Sequence, residues 1–272
     1  MVTVLHSDDQ LLRAEVDLAT TVERSPAAPL PGLPTDLPSD LVDALDVRPG
    51  DRVLEIGPGD LTALLRDAAD REPTVVGAAA AEGHTAGAPY DRIIATCAVP
   101  RLPLAWLDQC APGGLIVAPV GGAVARLTKR HDGRAAGRFL HHQAAFPPLH
   151  RDPAPAPAAP DPQARRRTTE LDARALDHPG FAFWAGLRLA PTITRSGHTL
   201  HDPTSGSTAR PDGPAAVALS GPRDVWCLVE AAHRNWLAHN RPRPEWFAVE
   251  AGPEAQYAAY TAPNGTTTRW VL

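Results

Sequence analysis

Four apolar runs, each followed by a turn or a helical stretch, set the pattern of the first half of the chain. Val53, Leu54 and Ile56 in DRVLEIG, Val75 and Val76 in TVVGA, and the runs YDRIIATCAV and LIVAPVG are nearly continuous hydrophobes. Such runs predict strands buried on both faces of a parallel sheet, not half-solvated strands. LTALLRDAAD and LPLAWLDQC predict helices between them, and APGG breaks the second. Ahead of the first strand, Ser39 or Asp40 can cap a short helix, LVDALDV, whose Leu41 and Leu45 share a face. GAVARLTKRHDGRAAGRFL alternates instead, with HDG at its midpoint, and predicts an antiparallel hairpin that finishes the sheet.

Prolines punctuate the rest. A short helical pattern over Asp9 to Leu18 precedes Pro26, Pro31, Pro34 and Pro38, which forbid a continuous helix. The passage RDPAPAPAAPDPQARRRT (151–168) lacks large hydrophobes and predicts a semi-rigid linker in which Arg165, Arg166 and Arg167 are solvated. Beyond it, PRDVWCLVEAAHRNWLAHN has helical spacing, and GHTLHDPTSG, AAVALSG, WFAVEAG and TRWVL predict short strands, together an α+β module. That region carries five of the six Trp, and indoles recurring on one helical face indicate core packing. The expected organisation is a lead-in (1–35), an α/β domain (36–150), the linker (151–168) and a C-terminal α+β domain (169–272).

Composition narrows the partners. With 26 basic against 31 acidic residues and a formal net charge of -5, no basic stripe marks a nucleic-acid surface. No apolar run reaches membrane length and Asp8 and Asp9 interrupt any signal-like start, so a cytoplasmic protein that uses no membrane is expected. Cys97, Cys110 and Cys227 are odd in number and form no CxxC pair, which fits reduced thiols. His198 and His201-Asp202 lack further ligands at metal spacing, so no metal site is expected.

The chemistry concentrates at VLEIGPGD, where a strand carrying Glu55 runs into Gly57 and Gly59 before a helix. Glycines at such a turn let backbone N–H groups approach a ligand, and the helix start favours an anion; a tight turn holding no ligand is the equal alternative. The stretches VRPGDRVLEIGPG and APYDRIIATCAVPRLPLAWLDQCAPGGLIVAPVGG resemble the core of protein-L-isoaspartate O-methyltransferases. ARLTKRHDGRAAGRFL, the Phe146-Pro147-Pro148-Leu149 segment and DVWCLVEAAHRNWLAHNRPRPEWF resemble a narrower branch, the methyltransferases that accompany ATP-grasp ligases in maturing ribosomally made peptides.

The resemblance implies a Rossmann-like core using S-adenosylmethionine to methylate an aspartyl or isoaspartyl carboxylate of a peptide or protein, with Glu55, Gly57, Gly59 and Asp60 on the cofactor side. It places Thr96 and Cys97 on the substrate side, and Asp36 where the family has Ser-x-Pro at the substrate carboxyl. There Asp36-Leu37-Pro38 would repel a carboxylate. Against the family pattern the glycine loop is short and only 34 positions separate Gly57 from Asp91, so the parallel sheet is expected to be one β-α unit shorter. No acid follows TVV to clamp a ribose, and Glu82 is the nearby acid. A degenerate relative that binds no cofactor and acts as a peptide-binding scaffold stands as the alternative.

Overall fold

The computed structural model describes residues 37–77, 81–141, 146–149, 161 and 163–272. Asp36, the Asp9–Leu18 pattern and most of the Pro/Ala passage lie outside them. In chain order, α1 (Leu37–Leu45), β1 (Val53–Ile56), α2 (Thr62–Ala69), β2 (Thr74–Val76), β3 (Tyr90–Ala95), α3 (Leu104–Gln109) and β4 (Cys110–Val120) form the α/β part. The hairpin β5 (Ala123–Lys129) and β6 (Ala135–Phe139) follows. After the Pro/Ala passage come β7 (Arg165–Thr168), α4 (Pro179–Arg188), β8 (Thr194–Ser196), β9 (Thr199–Asp202), β10 (Ser207–Pro211) and β11 (Ala216–Ser220). The chain then forms α5 (Trp226–Ala238), β12 (Phe247–Ala251), β13 (Gln256–Thr261) and β14 (Thr267–Val271).

The result is a mixed α/β fold. One sheet of nine strands runs β14-β13-β12-β6-β5-β4-β3-β1-β2, and a second of five runs β7-β11-β10-β9-β8. β2, β1, β3 and β4 are parallel, the Rossmann-like part, and β4 to β14 continue antiparallel. β12 pairs with β6 through Val249↔Gly137, so backbone hydrogen bonding crosses the Pro/Ala passage and the two halves share one sheet. On its other side β6 approaches β5 closely, which Gly137 permits, since a Cβ there would overlap the Arg126 carbonyl. APGG, expected to break α3 ahead of a strand, is itself the start of β4, because Cys110 already pairs with Tyr90 before a register shift.

Side chains fill both faces of the parallel strands. Leu41, Leu45, Leu61 and Leu65 from α1 and α2 pack with Ile94 and Val117 on one face. On the other, Leu54, Ile93 and Trp106 join Phe181, Trp184, Trp226 and Phe247 in one continuous core. The α5 indoles Trp226 and Trp236 are core anchors, as their spacing implied; truncating a fully buried Trp such as Trp184 removes about 3–5 kcal/mol of stability.

Arg165 and Arg166 are exposed, as expected of a solvated run, but Arg167 is not. β7 pairs with β11, and Arg167 donates from both terminal nitrogens to the Glu230 carboxylate at 2.9 Å and from Nε to Asp224 at 2.6 Å. Thr169 joins the same carboxylate and accepts from the Trp226 indole, so this network ties β7 to α5.

Candidate cofactor and substrate site

β1 and β3 are adjacent and parallel with Ile56 opposite Ala95, so Gly57 and Thr96 leave the sheet side by side. Gly57 N donates to Val76 O at 2.9 Å and Thr96 N to Ile56 O at 3.0 Å, which extends the ladder to the sheet's carboxyl edge. Ligands of open α/β sheets bind at this edge. The glycines are required here for different reasons. A Cβ on Gly57 would overlap the Thr96 hydroxyl, whereas Gly59 holds φ +88°, a left-handed conformation unfavourable to other residues.

Glu55 is fully buried. Its Oε1 accepts from Leu61 N at 2.9 Å and its Oε2 from Thr62 Oγ1 at 2.8 Å. The anion favoured at the start of α2 is therefore supplied by the chain itself, and it fixes the turn between β1 and α2. Burial pushes the Glu55 pKa up, the bonds from Leu61 and Thr62 pull against that, and nearby Asp60 adds repulsion. Burial also raises Asp60. Asp60 Oδ2 and Thr96 Oγ1 are buried without any hydrogen-bond partner, and among the described residues only Asn235 Oδ1, on α5, shares that condition. Buried polar atoms left unpaired cost about 1–3 kcal/mol each, so two of them beside one glycine turn make this turn the candidate site.

Five expected residues thus converge: Glu55, Gly57, Gly59, Asp60 and Thr96. Cys97 is next in sequence but packs in the core, its Sγ 3.8 Å from Ile56 O and its thiol pushed up by burial to about 11. That thiol is a structural hydrophobe at neutral pH, not a nucleophile. After β2 stands exposed Gly77, and residues 78–80 lie outside the described ones. Glu82 does not substitute as a clamp. Gln109, which ends α3 beside the start of β4, donates to the Glu82 carbonyl, so Glu82 sits at the opposite end of the parallel strands from Gly57.

The loop after β3 is held by residues that sequence spacing could not single out. Gln256 on β13 accepts from Leu102 N at 2.8 Å and donates to Leu102 O at 2.7 Å. Ala98 is bracketed by the Phe146–Leu149 segment, donating to Pro147 O and accepting from Leu149 N. Val99 docks on the end of β4 through Pro119 O and Gly121 N. The floor beside Thr96 is therefore shaped partly by the C-terminal strands.

Residues 65–150 match the family model of protein-L-isoaspartate(D-aspartate) O-methyltransferases. The chain has homologues among these enzymes. That of Methylibium petroleiphilum is 42% identical over 72 residues, covering 25% of this chain and 27% of that protein. That of Methanoculleus marisnigri is 34% identical over 107 residues, covering 30% and 49%. The chain spans about half or less of the length of the curated relatives it matches. A Plasmodium falciparum chain named for the same enzyme, solved in complex with S-adenosyl-L-homocysteine, aligns with TM-score 0.34 at 14% identity, covering 41% of this chain and 70% of that one.

Proposed function

We propose that the protein is an S-adenosylmethionine-dependent carboxyl methyltransferase acting on an aspartyl or isoaspartyl side chain of a peptide or protein. The observation that carries this is the pair of unpartnered buried atoms, Asp60 Oδ2 and Thr96 Oγ1, beside Gly57 in a chain whose homologues are carboxyl methyltransferases. The donor set fits the methionyl part of the cofactor: Asp60 would accept from its ammonium group, and Gly57 and Gly59 present backbone without side chains on either side of Pro58. When bound, S-adenosylmethionine supplies a methyl group on a sulfonium, and the acceptor carboxylate forms the O–CH3 bond as the S–CH3 bond breaks.

A carboxylate with a pKa of about 4 is ionised at neutral pH, so the chain need not remove a proton. Its residues orient instead. Thr96 would donate its hydroxyl hydrogen to the acceptor carboxylate, Glu55 holds the turn rigid, and the loop from Cys97 to Leu102 excludes water, pinned by Gln256. In-line positioning and desolvation then supply the acceleration. The parallel part is proposed to be one β-α unit short, with three-residue β2 as its edge strand. The substrate is proposed to be a ribosomally made precursor peptide processed in the cytoplasm alongside an ATP-grasp ligase, a context supported by the resemblance of the C-terminal helix region. Among the described residues no helix is long and apolar enough to cross a membrane.

The scaffold alternative is favoured by Glu55 already filling the start of α2 and by exposed Gly77 where a ribose-binding acid would stand. Calorimetry with S-adenosylhomocysteine separates the two. Heat of binding that is lost in Gly57→Val supports the enzyme, and no heat at millimolar ligand leaves the scaffold.

A further inference from the structure

Strand register places Arg126, Arg138, Ala248, Ala259 and Arg269 in one row across β5, β6, β12, β13 and β14. Residues directly opposite across strands project from the same face. Two positions along, the same face carries Ala136, Glu250 and Tyr257. This is the face that α1 and α2 cover over the parallel strands. Their cover stops at Arg126, whose Nε donates to the Ala44 carbonyl at the end of α1. Past it, Arg138, Glu250 and Arg269 are exposed and Val271 is 63% exposed. α4 and α5 lie on the opposite face, among the Phe247 and Tyr260 side chains.

The charges on this face are uncompensated. Arg126 and Arg138 stand directly opposite one another, a like-charge pair that weakens a sheet. Among the described residues neither the Arg138 nor the Arg269 side chain has a hydrogen bond or ion pair, and Glu250, the acid on this face, pairs with neither. Three strand spacings separate β6 from β14, about 14 Å at about 4.8 Å each. An α-helix with its side chains is about 10–12 Å across. Ala248 and Ala259 between the arginines leave a floor low enough for a backbone to approach.

We propose that this face is a docking site for an amphipathic helix of a partner protein, whose apolar stripe lies on Ala248 and Ala259 and whose acidic flanks reach Arg138 on one side and Arg269 on the other. Face-to-face pairing of two copies would set arginine rows against each other, so charge favours an acidic partner over self-association. The site is independent of methyl transfer, since it lies on the antiparallel strands.

The test uses the full chain and two fluorescent helical peptides of about 20 residues, long enough to hold a helix. Both carry a Leu/Ala stripe; one is flanked by Glu and the other by Lys. Anisotropy titration should show the Glu peptide binding about tenfold or more tighter, the preference shrinking as salt rises from about 0.05 M to about 0.5 M. R138E/R269E should erase the preference, and Ala259→Trp should abolish binding with the charges intact. Circular dichroism verifies the fold of each variant. Absent binding, equal binding of the two peptides, or an affinity indifferent to both variants overturns the proposal. So does a dimer by sedimentation that R138E/R269E dissolves, which would assign the face to a second copy. A rise in hydrogen exchange within residues 1–36 on the same charge reversal would assign it to the chain's own acidic N-terminal segment, and equally overturn it.

Discussion

The carboxyl edge of the parallel strands and the β7–α5 junction handle buried polar groups in opposite ways. At the junction, the ionised groups satisfy one another: Arg167 bonds Glu230 and Asp224, and Thr169 and the Trp226 indole complete the set. At the glycine turn, Asp60 and Thr96 keep atoms buried and unpaired while Glu55 is desolvated. The junction spends its polar groups on stability; the turn leaves two of them unspent. Polar truncations should therefore harm the first region and relieve the second.

Glu230→Ala strands Arg167, whose side chain is 29% exposed, with half its acceptors gone, and should lower unfolding free energy in urea by about 3 kcal/mol. Gln256→Leu removes both partners of the buried Leu102 backbone and should cost about 2 kcal/mol, with faster hydrogen exchange confined to the loop after β3. Thr96→Val should do the reverse, raising stability by about 1 kcal/mol because it deletes an orphan hydroxyl, while slowing methyl transfer to an isoaspartyl peptide and leaving S-adenosylhomocysteine binding in calorimetry unchanged. Destabilisation by Thr96→Val of the kind expected for Glu230→Ala would erase the contrast between the regions.

Acid sharpens the same contrast. Burial pushes Glu230 and Asp224 up, but their bonds to Arg167 and to neighbouring hydroxyl and backbone N–H groups outweigh it, so both titrate below their ordinary values. Their stabilisation is present above the unfolded carboxylate pKa and is lost as pH falls through the lower folded values. Glu55 is raised, so the stability it contributes is fully present below its ordinary unfolded value and is lost as pH rises through its higher folded value. Stability measured against pH should rise toward acid less steeply in Glu55→Gln than in wild type, and Glu230→Gln should blunt the acid loss. The smallest effect concerns thiols: iodoacetamide at neutral pH should modify exposed Cys227 and spare Cys97, whose thiol is pushed up to about 11, by intact mass.

Much of the parallel part is legible in the sequence because buried strands announce themselves as unbroken apolar runs: VLEI, YDRIIA and LIVAPV all lie in strands flanking the glycine turn. The turn itself is legible from Gly57 and Gly59. α4 is not, since PGFAFWAGLR is apolar nearly all round and carries no polar face to give it a helical period. β7 is hidden because its three arginines imitate a solvated tail, and only the fold brings Glu230 and Asp224 to Arg167. Gln256 cannot be chosen from spacing, being 154 positions from the backbone it holds. Convergence of Asp60 and Thr96 likewise needs the adjacency of β1 and β3.

The clamp from Gln256 to Leu102 has a temporal consequence. During synthesis the N-terminal strands leave the ribosome long before β12 and β13 exist, so β6 waits with an open edge and the segment after β3 waits without its anchor. The segment after Thr96 acquires its final outline only when β13 arrives, which makes a late strand the timekeeper for an early loop.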